Sequence, residues 1–359
     1  MNNQDLPRWA TGFVMPVLNL LSALLVAALV IYLLGESPVE SMGILINSAV
    51  VNPEGLSYTL FYASTFIFTG LAVSIAMQAG LFNIGAEGQM YFAGLGLTLA
   101  MLAFDSSLPM WILIPVGMIG AALFGALWAF LPGYLQAKRG SHVVVTTIMF
   151  NYIAGALMNT VIVKYLVPAG EQNPASRAFS AAAEMPRLNQ WFPILGETPL
   201  NISFFLAIIA LVIYGVMVSR SSWGFKLRAT GLNKHAAHYA GVRISKMIIT
   251  VMLISGALAG LGSVNSIMGS THYLSLNFVG GAGFVGIAIA LMGRQHPVGI
   301  FLSAVLFGAL IQGGFDLSLE KQNIPPETFI FIQGLIILFC GAMENFYAPA
   351  IAALLKRKK

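Results

Sequence analysis

Charge is what this sequence has least of. Among its 359 residues, 9% are Asp, Glu, Lys or Arg, while 58% are hydrophobic. A soluble domain carries about 25% charged residues, so there is too little polar material here to coat a water-soluble globule. Disorder is excluded by the same numbers, because disordered chains are rich in charge and poor in hydrophobes. Cysteine is nearly absent. Cys340 stands alone, which leaves no partner in this sequence for a disulfide and too few thiols for a zinc ribbon or an iron–sulfur cluster. No lysine is followed by Ser or Thr, so the phosphate-gripping end of a Walker A motif is missing and ATP hydrolysis by this chain is not expected. The histidines have no carboxylate or cysteine placed to complete a metal shell. Neither an enzyme nor a metalloprotein is expected.

What the chain has in abundance is long apolar runs. Crossing a hydrocarbon layer of about 30 Å takes about 20 helical residues, and the runs lack the period-two alternation of membrane β-strands. The fold class is therefore all-α and polytopic. Ten spans are expected, near 13–34, 56–79, 82–104, 109–131, 142–166, 200–218, 247–268, 278–293, 297–314 and 327–345. The first exceeds the roughly 7–15 residues of a signal-peptide core and reads as a retained anchor. A further apolar stretch, 39–51, is too short to cross and is expected against the outer surface. The organisation is then a cytoplasmic segment 1–12, one transmembrane domain 13–345 and a basic cytoplasmic tail 346–359, with an outer loop 167–200 and an inner loop 219–246.

Lys and Arg concentrate in cytoplasmic loops, which tests the count. With both termini inside, Arg8, Lys138, Arg139, Arg220, Lys226, Arg228, Lys234, Arg243, Lys246, Arg294 and the Lys356-Arg357-Lys358-Lys359 tail are all cytoplasmic. Outside are Lys164, Arg177, Arg187 and Lys321, together with ten of the acids, from Glu36 to Glu327. Losing one span would scramble this sorting. The net charge of +5 needs no nucleic acid partner, since inner loops and tail face anionic lipid. The outer loop holds Pro168, Pro174, Pro186, Pro193 and Pro199, which predicts irregular chain with at most one short helix.

The inner loop is the most informative stretch. It is basic throughout and carries no acid. Asn233 is placed to cap a short helix from Lys234, and Gly241 to end it. Ala236, Ala237 and Ala240 would give that helix a smooth face, with Tyr239 and Val242 as knobs for a partner's cleft. The plainer alternative is an amphipathic loop held against lipid phosphates.

Several motifs carry a resemblance. The run Gly224-Phe-Lys-Leu-Arg228-Ala-Thr-Gly-Leu-Asn233 with Ala236-Ala237 and Tyr239-Ala-Gly241 resembles the coupling segment of ABC importer permeases of the branched-chain amino acid and ribose type. The runs Ser255-Gly-Ala-Leu-Ala-Gly260-Leu-Gly262 and Gly283-Phe-Val-Gly286, continuing to Pro297-Val-Gly299, are similar to later motifs of that family. Gly80-Leu-Phe-Asn83-Ile-Gly85-Ala-Glu87-Gly88-Gln89 and Thr147-Ile-Met-Phe-Asn151 look like its nucleoside subgroup, whose receptors are basic membrane lipoproteins. The resemblance spans roughly 60–345, while His235, His238 and Val285 depart from it. It implies a permease in the bacterial cytoplasmic membrane with no bound cofactor. The implied partners are a second permease chain, non-identical, a cytoplasmic ATPase that uses ATP and Mg, and an extracellular or periplasmic solute-binding protein. ATPase coupling would fall on Arg228, Asn233, Ala236, Ala237, Tyr239 and Gly241. A nucleoside or purine-like solute is implied, with a pentose or other simple sugar as the alternative. An ion-coupled secondary transporter is the rival class, but such proteins bury ionisable groups along the ion path and Glu87 is the one credible candidate here.

Polar residues inside spans are costly and face a cavity or pair within the bundle. Asn83, Glu87, Gln89, Asn151 and Asn265 are the candidates for a substrate pathway. Each has a structural alternative: Glu87 complements a helix dipole, Asn83 caps the same helix, and the other asparagines bond between helices. Gly85 and Gly88 open span three, and Gly283 and Gly286 open span eight. Spans five apart run oppositely, as an inverted 5+5 repeat with broken helices requires. Close helix packing is the alternative for those glycines.

Overall fold

The structure, a computed structural model, describes residues 14–321 and 323–342. The segments 1–12 and 346–359, with Arg8 and the Lys356–Lys359 signal, lie outside the described residues. Among the described residues thirteen α-helices follow one another: α1 Met15–Leu33, α2 Pro38–Ile46, α3 Pro53–Gln78, α4 Ala86–Phe104, α5 Met110–Arg139, α6 Val143–Val161, α7 Ser203–Arg220, α8 Ser222–Leu232, α9 Lys234–Tyr239, α10 Ile244–Ser266, α11 Ala282–Met292, α12 Pro297–Glu320 and α13 Glu327–Ala342. Among the described residues, β pairing is limited to isolated bridges at Ala175/Ser275 and Arg187/Asn201.

A helix stands at each expected span, but fewer than ten are built to cross alone. Six of the described helices are long and apolar enough, or seven if Leu24–Leu33 and Pro38–Val51, bent by 119°, form one span. The shortfall has physical causes. α4 opens on Glu87 and Gln89, and α11 has 11 residues, about 16 Å at 1.5 Å per residue, half the hydrocarbon thickness. α13 is described over Glu327–Ala342, and the end of its expected span, 343–345, lies outside the described residues.

The chain forms two compact units. In the unit of residues up to Thr59 and from Leu306 onward, α1 packs on α13, and Gly313 and Gly314 of α12 let Leu45 and the Phe329 ring lie directly on the helix backbone. The Thr59 hydroxyl donates to the Ala49 carbonyl at 2.8 Å, fixing the turn after α2. Lys321 bridges Glu40 at 2.9 Å and Glu36 at 3.3 Å, and hydrogen bonding to Glu40 raises its pKa.

In the unit Leu60–Val305, α10 packs on both α4 and α5. Gly125 and Gly256 meet backbone to backbone, the close approach that small residues permit where lipid supplies no hydrophobic drive. The 167–200 loop is more ordered than its prolines predict. It contains three single 3₁₀ turns, Ala181–Ala183, Leu188–Gln190 and Pro193–Leu195. Backbone bonds tie it down, from Met185 N–H to Met268 O at 2.9 Å and from Ser176 N–H to Leu274 O at 2.9 Å. Asp105 accepts two N–H bonds from Arg177, at 2.7 and 3.0 Å, and one from the Ser180 amide at 3.1 Å.

Candidate functional site

Two regions gather the expected residues. The first is the start of α4. After α3 the chain turns at Gly80 (φ 68°) and runs without regular structure to Gly85. Asn83 is fully buried. Its Oδ1 accepts from the Gly85 amide at 2.8 Å, and its Nδ2 donates to Ser255 Oγ of α10 at 2.8 Å and to Gln89 Oε1 at 3.3 Å. The Gln89 Nε2 donates back to Asn83 Oδ1 at 3.4 Å. The Ser255 hydroxyl donates in turn to the Ala72 carbonyl at 2.6 Å. The N-cap of α4 is Gly85, which supplies no side chain, so Asn83 holds the approach to the helix instead of capping it.

The cap comes from another helix. Asn151 of α6 accepts from the Gly88 amide at 2.9 Å and donates to the Ile84 carbonyl at 2.9 Å, satisfying one of the donors that a helix start leaves open. Thr147 Oγ1 accepts from the Ile84 amide at 3.3 Å. Glu87, 6% exposed, points the other way. Its two oxygens accept from Gly281 N–H at 3.1 Å and Gly283 N–H at 2.8 Å, so the carboxylate caps α11. Gly283 is required there, because a Cβ would enter the backbone of Glu87. The starts of α4 and α11 therefore meet, with one carboxylate against the positive end of α11. Gly85 lies against Asn83, Gln89 and Thr147, Gly88 against Asn151, and Gly286 against Thr69.

Asn265 is not part of this cluster. Its Oδ1 accepts from Asn201 Nδ2 at 3.0 Å and from Ser203 Oγ at 2.5 Å, while its Nδ2 donates to Phe61 O and Thr65 Oγ1, both at 2.9 Å. Every one of the five side chains thus has partners within the chain. Composition gave no sign of Ser255 or Thr147 as members, since hydroxyls in small-residue helices read as packing.

The second region is the 219–246 loop. Asn233 caps α9, accepting from the Ala236 amide at 3.0 Å, and Gly241 follows with φ 84°. Tyr239 is 90% exposed, and Ala236 and Ala240 are also open. Ala237, at 2% exposed, and Val242 are turned into the protein, so they hold the element down and do not belong to its outward face. Sequence reading also missed α8. This helix is capped by Ser221, which accepts from the Gly224 amide at 2.9 Å, and Arg228 fastens it by donating to Val218 O at the end of α7 at 2.5 Å. At its other end Gly231 lies on the backbone of Gln78 and Gly80. The base of the exposed element therefore touches the loop that leads into the α4 cluster.

A family model described as branched-chain amino acid transport system, permease component, matches residues 55–341. The guanosine ABC transporter permease protein NupP of Bacillus subtilis is 35% identical over 96% of this chain and 96% of its own. The glucose ABC transporter permease protein TsgB13 of Haloferax volcanii is 32% identical over 96% of this chain and 90% of its own. The nucleoside ABC transporter permease protein NupB of Lactococcus lactis is 32% identical over 90% of this chain and 89% of its own.

Proposed function

Since the chain belongs to the branched-chain amino acid transport permease family and so is the permease component of an ABC importer and not an enzyme, we propose that it carries a nucleoside or purine-like solute inward. The observation behind the solute is the 35% identity to a guanosine permease along 96% of both chains. A sugar is the second reading, favoured by the glucose permease at 32%. Proteoliposomes holding the complete transporter, its binding protein and internal ATP test both: guanosine accumulates and unlabelled guanosine competes, whereas uptake of glucose or ribose with no nucleoside transport would overturn the assignment.

Ten crossings with both termini in the cytoplasm remain the topology that sorts the basic residues. On that topology α4 starts from the inner side and α11 descends from the outer side. Their starts nevertheless touch through Glu87, Gly281 and Gly283, and α11 is half a membrane long. The contact then lies deep in the bilayer, as broken helices do in inverted-repeat transporters. This supports the pairing of spans three and eight as counterparts in two inverted halves.

The family membership supports an ATPase and a solute-binding protein as partners, and the proposed assembly goes one step further. A cytoplasmic ATPase seats on α9, a second, non-identical permease completes the pore, and an external binding protein delivers solute to the outer loops in a bacterial cytoplasmic membrane. The ATPase supplies ATP and Mg chemistry. This chain's part is mechanical. Displacement of α9 moves α8, whose Gly231 rests on Gly80, and the push reaches Asn83 at the junction of α3, α4 and α10. Such a switch requires two arrangements of the bundle biased by a ligand that prefers one of them. The cluster of Asn83, Glu87, Gln89 and Asn151 moves as a body in this scheme. Solute contact by those side chains or by Asn265 requires the other arrangement, in which some of their present bonds open.

A further inference from the structure

A cavity of about 810 Å³ lies beside α7, bounded by α8 and by the connection from α11 into α12. It belongs wholly to the Leu60–Val305 unit and has two unlike ends. Leu211, Val212 and Phe301 form an apolar wall, and Val212 and Val298 are more than half exposed, so the wall opens sideways along the helices. At the other end Arg220, Arg228 and Arg294 converge with His296, and no acid lines the space. Arg228 donates one N–H to Val218 O, which leaves its charge uncompensated by any lining carboxylate. The start of α12, at Pro297, faces the same end and adds the positive pole of a 24-residue helix.

The backbone that presents Arg294 is unusual. Arg294 (φ 51°) and Gln295 (φ 57°) are successive non-glycine residues in the left-handed region, a conformation that side chains disfavour and that surrounding structure must hold. Tyr214 does so from α7, donating its hydroxyl to the Gln295 carbonyl at 3.0 Å.

We propose that this cavity is a binding site for an anionic phospholipid of the cytoplasmic leaflet. Its phosphate would sit among Arg220, Arg228 and Arg294, and its acyl chains along Leu211, Val212 and Phe301. Guanidinium groups match phosphate oxygens in paired geometry, and basic pockets between membrane helices on the inner side suit such headgroups. The lateral opening and apolar wall favour a lipid over a soluble phosphate. The proposal rests on the inward orientation of this end given above, and it adds a regulatory contact: a lipid here would bear on both α8 and the α11–α12 connection.

The complete transporter, extracted from membranes and exchanged into detergent, is examined by native mass spectrometry for retained phosphatidylglycerol against phosphatidylcholine. Enrichment of phosphatidylglycerol about tenfold over its bulk share is expected in the wild type, with loss of that enrichment in Arg220→Gln/Arg294→Gln. Arg243→Gln/Lys246→Gln removes the same charge elsewhere on the inner face and keeps the enrichment. Equal retention by both pairs, or equal loss, overturns the site. Should the first pair misfold, Val298→Trp in vesicles of brominated phosphatidylglycerol provides an independent reading. Added quenching beyond that in brominated phosphatidylcholine supports the site. Equal quenching in the two lipids, or none because a partner chain covers the groove, overturns it. Orientation is checked separately with Ser222→Cys in a Cys340→Ala background: labelling by an impermeant maleimide from the outer side alone sinks the topology, whatever the lipid result.

Discussion

The start of α4 and the exposed turn around α9 are both polar interruptions in an apolar chain, yet they solve opposite problems. At α4 every candidate side chain is paired: Asn83 with Gly85, Ser255 and Gln89, Asn151 with Gly88 and Ile84, Glu87 with Gly281 and Gly283. At α9, Ala237 and Val242 alone face inward, while Tyr239, Ala236 and Ala240 present themselves to the outside. A region that satisfies its own polar groups is built to keep its shape when pushed. A region anchored by two residues, with its largest side chain 90% exposed, has a surface open to a partner. On the proposed mechanism the first region is the transmitted body and the second the handle, and mutations at the two should fail in different ways.

The largest effect is expected at Glu87. Glu87→Ala strands the buried Gly283 amide and the partly buried Gly281 amide, and a buried group left unmade costs about 1–3 kcal/mol, so the purified protein should melt well below wild type and uptake should fall with it. Glu87→Gln keeps one acceptor and should recover part of the melting temperature. If Glu87→Ala melts like wild type, the capping of α11 is not what holds the two helix starts together.

At α9 the signature reverses. Tyr239→Ala removes an exposed ring and should shift stability by no more than about 0.5 kcal/mol, while ATP-driven uptake falls by roughly an order of magnitude, or about 1.4 kcal/mol of coupling. Ala237→Arg sharpens the contrast, since its site is closed. Overpacking there costs about 1–3 kcal/mol, so this variant should lose both stability and coupling. Normal uptake by Tyr239→Ala would mean that the ATPase does not grip α9 through this ring.

How much of this was legible beforehand follows the same division. The Asn233 cap and the Gly241 stop depend on residues within nine positions of one another, and the structure has both. So do the helix positions, which follow from continuous apolar runs. The Asn83–Ser255 bond joins residues 172 positions apart and the Glu87–Gly283 bond spans 196; no local pattern encodes either. α8 was missed for a different reason. Its Arg-, Lys- and Gly-containing sequence lacks an apolar face, and it is held by Ser221, by Arg228 on Val218 and by contact at Gly231, so tertiary anchoring overrides weak propensity. The exposure of Tyr239 beside the burial of Ala237 is likewise a matter of which way a six-residue helix lies.

Between the fully paired cluster and the open handle stands a third arrangement, the Asp105–Arg177 clasp on the 167–200 loop, in which the carboxylate is buried and the guanidinium is about half exposed. The Arg177 side-chain bonds, helped by the Ser180 amide, hold the Asp105 carboxyl below its ordinary range against the opposing effect of burial. A carboxyl whose pKa is lower folded than unfolded binds its proton more readily in the unfolded chain, so its contribution is complete above the unfolded value of about 3.9. That contribution is lost as pH falls through the lowered folded value. Because Arg177 is partly solvated, screening keeps the effect near the small end for ion pairs. The expected result is a melting temperature that Asp105→Asn lowers slightly at pH 7, with the wild-type advantage shrinking as pH drops below about 3.9 and vanishing in stronger acid. An advantage that instead grew on acidification would mean that the clasp is strained in its ionised form, and that the 167–200 loop is held by its backbone bonds to Met268 and Leu274 without help from this pair.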